Sequence, residues 1–164
     1  MSTDWNELVR REGPGVYSAA WRILGHEADT EDVVQNVFLE AHRLWCTRPT
    51  AEWIGILRSM ATRRALDQLR RRRSFAATDE LLTVPATDDP VANAIERELA
   101  ARLAQVLADL PTREAEVFCL RFFEDFSYEQ IAAQLGISGS AVSTALNKAR
   151  TKLAVALERT CKGD

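Results

Sequence analysis

Between Ser127 and Leu153 the chain carries the punctuation of two helices joined by a tight turn, and little else can be built from it. Ser127 stands at a helix N-cap position, and Gln130 three residues on can reach back to it, as in a capping box. Ile131 and Leu135 fall one helical turn apart and face inward. Ala132 and Ala133 are small enough to let a second helix cross close by. Gly136 falls where the first helix must stop, because glycine takes the left-handed stop without strain. Ser138 then caps the second helix. In that helix Val142, Leu146, Ala149 and Leu153 repeat at helical spacing as one apolar stripe. The other face carries Ser140, Thr144, Asn147, Lys148 and Thr151, with Ser143 at its flank. Short hydroxyls and an amide can hydrogen-bond base edges or phosphates, and a lysine can meet a phosphate. This is the layout of a helix-turn-helix DNA reader; a plain antiparallel helix pair is the other reading of the same spacing.

The chain of 164 residues has room for one domain or two small ones, and 46% hydrophobic content suits a folded soluble protein. No apolar run reaches the length of a membrane span. The N-terminus, Met-Ser-Thr-Asp-Trp-Asn-Glu, has no basic region followed by an apolar stretch, so the expected address is cytoplasmic, without membrane insertion. Cys46, Cys119 and Cys161 are odd in number and far apart. That spacing suggests neither zinc nor disulfides, and Cys46 and Cys119 are expected to be buried thiols. His26 and His42 have no nucleophile, metal spacing or phosphate-cradling glycine loop beside them, so neither catalysis nor a cofactor or metal is expected. The net charge of −3 is unusual for a protein that holds DNA unaided, since phosphate contacts supply most non-specific binding. A reader of DNA with so little charge needs a partner for much of its affinity.

Nearly all of the chain reads as helix, with Gly and Pro between elements. A short helix around Trp5, Leu8 and Val9 should end at Gly13-Pro14-Gly15, and a second should run from about Val16 to Leu24. A third should begin near Asp29 as its cap and reach Trp45. A fourth should follow Thr50 and run to about Arg73. Periodicity then fails through Ser74–Asp88, which reads as a loose tether. Asp89-Pro90 restarts the helices, proline suiting the first helical position. Val91, Ile95, Leu99, Leu103 and Val106 form a stripe, and Leu110-Pro111-Thr112 breaks and restarts the pattern. The expected fold class is all-α: two small helical domains, 1–73 and 90–160, joined by a flexible linker at 74–89, the second ending in the helix-turn-helix.

Two surfaces ask for a use. Val33, Val34, Val37, Phe38, Ala41, Leu44 and Trp45 mark a broad buried face. Leu39 points the other way, among Asp32, Gln35, Asn36 and Arg43. A lone surface leucine can be incidental, but an apolar centre with a polar rim is also how a small protein-docking patch is built. The following helix carries Arg58, Arg63 and Arg64 and ends in Arg70 to Arg73. Arginine is favoured at a helix C-terminus, but four in a row exceed what capping requires, which turns the balance toward nucleic acid. Trp53, at the start of that helix, can be a core residue or a platform for an unpaired base.

Taken together, these pieces resemble a bacterial RNA polymerase sigma factor of the extracytoplasmic-function (ECF) type. Arg22–Arg43 looks like the family's second conserved region, and Leu110–Ala132 with the helix after it looks like the fourth. The resemblance implies a protein that binds core RNA polymerase and directs promoter-specific initiation, doing no chemistry itself. It places Asp32, Gln35, Asn36, Leu39 and Arg43 on the clamp helices of the polymerase β′ subunit. It gives Trp53, Arg58, Arg63, Arg64 and Arg70 to the −10 promoter element, which is opened with a flipped base. It gives Ser140, Ser143, Thr144, Asn147 and Lys148 to the −35 element, with the second domain seated on the β flap. It also implies an anti-sigma factor as a partner, and a nucleoid location when polymerase-bound. Asn36 stands where the family usually has an acid, Ile56 where it has Trp and Arg63 where it has Asn. Ser143 and Ala145 replace the usual Lys and Arg, so the −35 reader has fewer phosphate anchors. A stand-alone operator-binding regulator, and a sigma-like decoy for an anti-sigma factor, are the alternatives.

Overall fold

The computed structural model describes residues 4–48, 52–75 and 90–162. They form α1 (Trp5–Leu24), α2 (Glu27–Trp45), α3 (Trp53–Phe75), α4 (Pro90–Asp109), α5 (Thr112–Phe122), α6 (Tyr128–Leu135) and α7 (Gly139–Cys161). The fold is all-α, and no strand occurs among the described residues. No helix there is long and apolar enough to cross a membrane. The tether expected at 74–89 lies outside the described residues except for its first two positions.

Helix α1 differs from the two short helices expected. It runs unbroken through Gly13-Pro14-Gly15, with Pro14 on its exposed side. An internal proline costs a helix about 3 kcal/mol, but the buried row Leu8, Val16, Ala19, Ala20 and Ile23 keeps helical register on both sides of it. Burying that row outweighs one lost hydrogen bond, at roughly 1.5–3 kcal/mol per large apolar side chain. Gly15 is there for space: a Cβ would stand 3.1 Å from Arg58 Nη2. Helix α1 stops at Gly25, which takes the left-handed conformation at φ 57°. Helix α2 begins two residues before the expected Asp29. Its cap is His26, whose Nδ1 accepts from the Asp29 backbone N–H at 3.3 Å.

Helix α3 is the axis of the molecule. Its Leu57, Ala61, Ala65, Leu66 and Leu69 meet α1 and α2 on one side and α4 and α5 on the other. One apolar core therefore runs from Leu8, Val16 and Leu24 through α3 to Leu107, Leu110, Ala115 and Cys119. A second, smaller core holds α5, α6 and α7 together through Val117, Leu120, Phe126, Ile131, Val142 and Leu146. The capping features of that unit match the sequence expectation. The Ser127–Gln130 capping box is closed in both directions, Gly136 is left-handed at φ 64°, and Ser138 accepts from the Ala141 N–H.

Three apolar expectations need correcting. Cys46 is exposed, because it caps the open C-terminal end of α2; Cys119 is buried as expected. Leu44 is exposed instead of joining the buried face of α2. On α4, Ile95 and Leu99 are exposed while Leu103 and Val106 pack against the core, because α3 covers the C-terminal part of this apolar row; the Val91 side chain lies outside the described residues.

The two kinds of glycine position predict substitutions of opposite sign. Gly13→Ala adds a Cβ that meets nothing within a helix, and should stabilise by about 0.5–1 kcal/mol. Gly136→Ala forces a side chain into the left-handed region and should destabilise by about 1 kcal/mol. Urea denaturation of both variants measures the difference.

Candidate nucleic-acid interface

The frame of α7 sorts its side chains cleanly. Val142, Ala145, Leu146 and Ala149 are buried against α5 and α6, while Ser140, Thr144, Asn147 and Lys148 are exposed and Ser143 is half-buried. Ala145 faces inward, so a small residue suits the packing there. Lys148 makes no ion pair among the described residues, whereas Lys152 is held by Glu114 at 2.8 Å. The first free cation of the helix therefore stands beside the hydroxyl and amide row. Arg150 lies over the Phe122 ring at 5.0 Å, and Arg121 over Tyr128 at 5.9 Å.

The outer face of α2 carries Asp32, Gln35, Asn36, Leu39 and Arg43, all exposed. Leu39 is 59% exposed at their centre, while Val33, Val37 and Ala41 on the opposite face are buried. A shallow cavity of about 390 Å³ between α1 and α2 adjoins this face, lined by Tyr17, Glu31, Asp32, Val34 and Gln35.

Helix α3 carries the remaining candidates, in different surroundings. Trp53 is 6% exposed and packs on Trp45 with ring centroids 5.3 Å apart; stacking on a base would require that pair to part. Arg64 is paired with Glu40 of α2, its Nε donating at 2.9 Å. Arg58 and Arg70 are half-buried and Arg63 is exposed, and all three turn toward the seam where α3 meets the chain from Leu110 to Glu124. Arg58 Nη1 is 3.3 Å from Glu124 Oε2, and Arg63 Nε is 3.7 Å from Glu116 Oε1. Arg70 donates to Thr112 Oγ1 at 3.1 Å and to the Leu110 carbonyl at 3.3 Å.

Sequence reasoning missed three members of this seam. Glu116 and Glu124 are buried, and Arg22 of α1 reaches both the Phe123 carbonyl and Glu124 Oε1, the latter at 3.4 Å. Asp125, left-handed at φ 55°, makes the sharp turn that points the preceding Glu124 back at α3. The available signal was in α5, where acids at 114 and 116 interrupt an apolar segment and so must find cations when buried. Burial pushes both carboxyls above their ordinary value: Arg63 and Arg113 only partly offset this for Glu116, as do Arg22 and Arg58 for Glu124. Burial also pushes the Cys119 thiol up, which removes it from thiolate chemistry. Among the described residues no cluster of His, Cys, Asp or Glu could hold a metal ion.

With the exposed Leu39 face of α2, the arginine-bearing α3 and the helix-turn-helix of α6 and α7 in place, two family models match the chain. Sigma-70 region 2 covers residues 8–75, and sigma-70 region 4 covers residues 100–153. The ECF RNA polymerase sigma factor SigE of Mycolicibacterium smegmatis is 32% identical over 91% of this chain, which spans 60% of that relative's length. The RNA polymerase sigma factor CnrH of Cupriavidus metallidurans is 33% identical over 94% of this chain and 86% of its own. A solved structure of CnrH, in complex with the cytosolic domain of CnrY, superposes with a TM-score of 0.62 at 29% identity, covering 94% of this chain and 87% of that one. The chain belongs to the sigma-70 family of RNA polymerase sigma factors and is of the ECF type. It is thus a transcription initiation factor that acts with core polymerase on promoter DNA.

The two buried carboxyls predict a pH response. Their raised values mean that the folded chain holds more protons than the unfolded chain just above the ordinary value of 4.5. The stability they contribute is fully present below 4.5 and is lost as pH rises through the raised values. Glu116→Gln/Glu124→Gln should flatten that decline. Urea midpoints measured from pH 4.5 upward, for parent and variant, check it.

Proposed function

We propose that the chain works as two separately engaged units, residues 1–73 and 90–160, each with its own polymerase contact and its own promoter element. In the first, Asp32, Gln35, Asn36, Leu39 and Arg43 of α2 dock on the β′ clamp helices. Arg58, Arg63, Arg64 and Arg70 then serve −10 DNA, with Trp53 holding the α2–α3 corner from which they project. In the second, seated on the β flap, Ser140, Ser143, Thr144, Asn147 and Lys148 read the −35 element. The protein itself does no chemistry, needs no cofactor and works in the cytoplasm. An anti-sigma factor is a further partner; that CnrH is solved with the cytosolic domain of CnrY supports this.

The observation that carries the reading is Leu39, a leucine 59% exposed and ringed by polar groups on the outer face of α2. Two grips of modest charge gain selectivity when both are tethered to one large partner, because the second contact becomes intramolecular. Leu39→Glu should lower affinity for core polymerase at least about tenfold, the scale of an interface anchor, while circular dichroism and thermal unfolding stay unchanged. Full retained affinity would sink the docking assignment.

On α7 the two polar residues should separate by type. Asn147→Ala should relax discrimination at one −35 base by about 1–3 kcal/mol. Lys148→Ala should weaken binding of all promoters alike and reduce the salt slope by about one. Competition for holoenzyme among promoter variants at two salt concentrations distinguishes these effects.

A further inference from the structure

One pair of hydroxyls at the start of α7 has a sense that governs what the helix can bind. Ser138 caps α7, its Oγ accepting from the Ala141 N–H at 3.1 Å. The same Oγ lies 3.1 Å from Ser140 Oγ, and Ser140 is exposed at the second position of the helix. Capping alone does not call for this second contact. Ser127 caps α6 in the same way, through the Gln130 N–H, yet two residues on it has Glu129 where α7 has a hydroxyl. The N-terminal residues of a recognition helix are those that reach base edges, so the extra contact falls where the direction of a hydrogen matters.

A serine hydroxyl has one hydrogen and two lone pairs. Within the pair, one serine gives its hydrogen to the other, which keeps its own free. The Ala141 N–H decides which. Ser138 Oγ, having accepted that bond, is polarised into a better donor, because successive hydrogen bonds in a chain strengthen one another. Its hydrogen goes to Ser140 Oγ, and the Ser140 hydrogen is left to point outward, strengthened in its turn. The chain of donation thus runs in one direction, from backbone N–H through two hydroxyls to the helix surface. Thr151, on the same face, has the reverse sense: its Oγ1 donates to the Asn147 carbonyl at 2.9 Å and keeps only lone pairs for a ligand.

We propose that Ser138 is a positioning residue for −35 recognition: its hydroxyl holds Ser140 as a hydrogen-bond donor, so that Ser140 favours a base edge carrying acceptors over cytosine. This rests on the reading of Ser140 as a −35 contact and adds the polarity of that contact. In the major groove guanine offers O6 and N7 and thymine offers O4, all acceptors, whereas cytosine offers only the N4 donor.

Competition among −35 variants for holoenzyme reconstituted with core polymerase tests the relay. Ser140→Ala locates the base pair concerned, as the one where preference relaxes. At that pair the parent should favour one orientation of G·C over the other by about threefold or more, the scale of one hydrogen bond. Ser138→Asp keeps a good cap but only accepts, so it takes the Ser140 hydrogen and should reverse the orientation preferred. Its added charge weakens all promoters alike and cancels in the ratio. Ser138→Asn also caps well, and its amide still donates to Ser140, so it should retain the parent's preference. Ser138→Gly, uncharged and nearly as good a cap, should shrink that preference. Thermal unfolding of the Asp and Asn variants should match the parent. An orientation preference that survives Ser138→Asp or Ser138→Gly in full, or is lost with Ser138→Asn, overturns the relay while the −35 role of Ser140 stands. If Ser140→Ala relaxes no position, that role itself fails, and the relay with it.

Discussion

Helix α3 is packed from two sides, and the rest of the molecule arranges itself around that constraint. Its small and branched residues, Leu57, Ala61, Ala65 and Leu66, are buried between α1 and α2 on one flank and α4 and α5 on the other. A helix enclosed in this way has little room for its charged side chains, which must leave along the seams. Arg64 leaves toward Glu40, and Arg58, Arg63 and Arg70 leave toward α5 and its flanking turns. The polar organisation of the fold follows from the apolar one: where the core closes over α3, the arginines are gathered into two lines of contact.

Local rules carried most of the fold. The unit from Ser127 to Leu153 was legible in full, because each of its decisions is taken within four residues: a capping box, a left-handed glycine, a serine cap. The start of α4 at Pro90 and the break at Pro111 were legible for the same reason. Gly13-Pro14-Gly15 was misleading. There a local breaker signal is overruled by a buried row that continues through it and by a guanidinium lying on Gly15. Leu44, Ile95 and Leu99 were misread because periodicity says which residues share a face, not how far a neighbouring helix extends along it, and Cys46 because the usual burial of a free thiol gives way at an open helix end.

The candidate sites divide in the same way. The outer face of α2 and the polar face of α7 could be read from spacing alone, since each lies on one helix. The surroundings of Arg58, Arg63 and Arg70 could not, because their partners on α5 and its flanking turns lie forty or more residues away, and pairing at that separation leaves no periodic trace. Trp53 shows the same limit. Its position beside arginines left core residue and base platform both open, and the approach of Trp45 makes it part of a buried wall.

The contact between Gly15 and Arg58 ties the early chain to the late chain. At Gly15 the missing methyl leaves the space in which the Arg58 guanidinium lies, and that guanidinium in turn meets Glu124. A bulkier residue at position 15 would nudge the arginine and so be felt at position 124 through a single intermediary. The two positions are therefore coupled genetically although they never touch. Compensating changes for lesions in one half of the polypeptide should be sought in the other half, along the line that this one side chain draws.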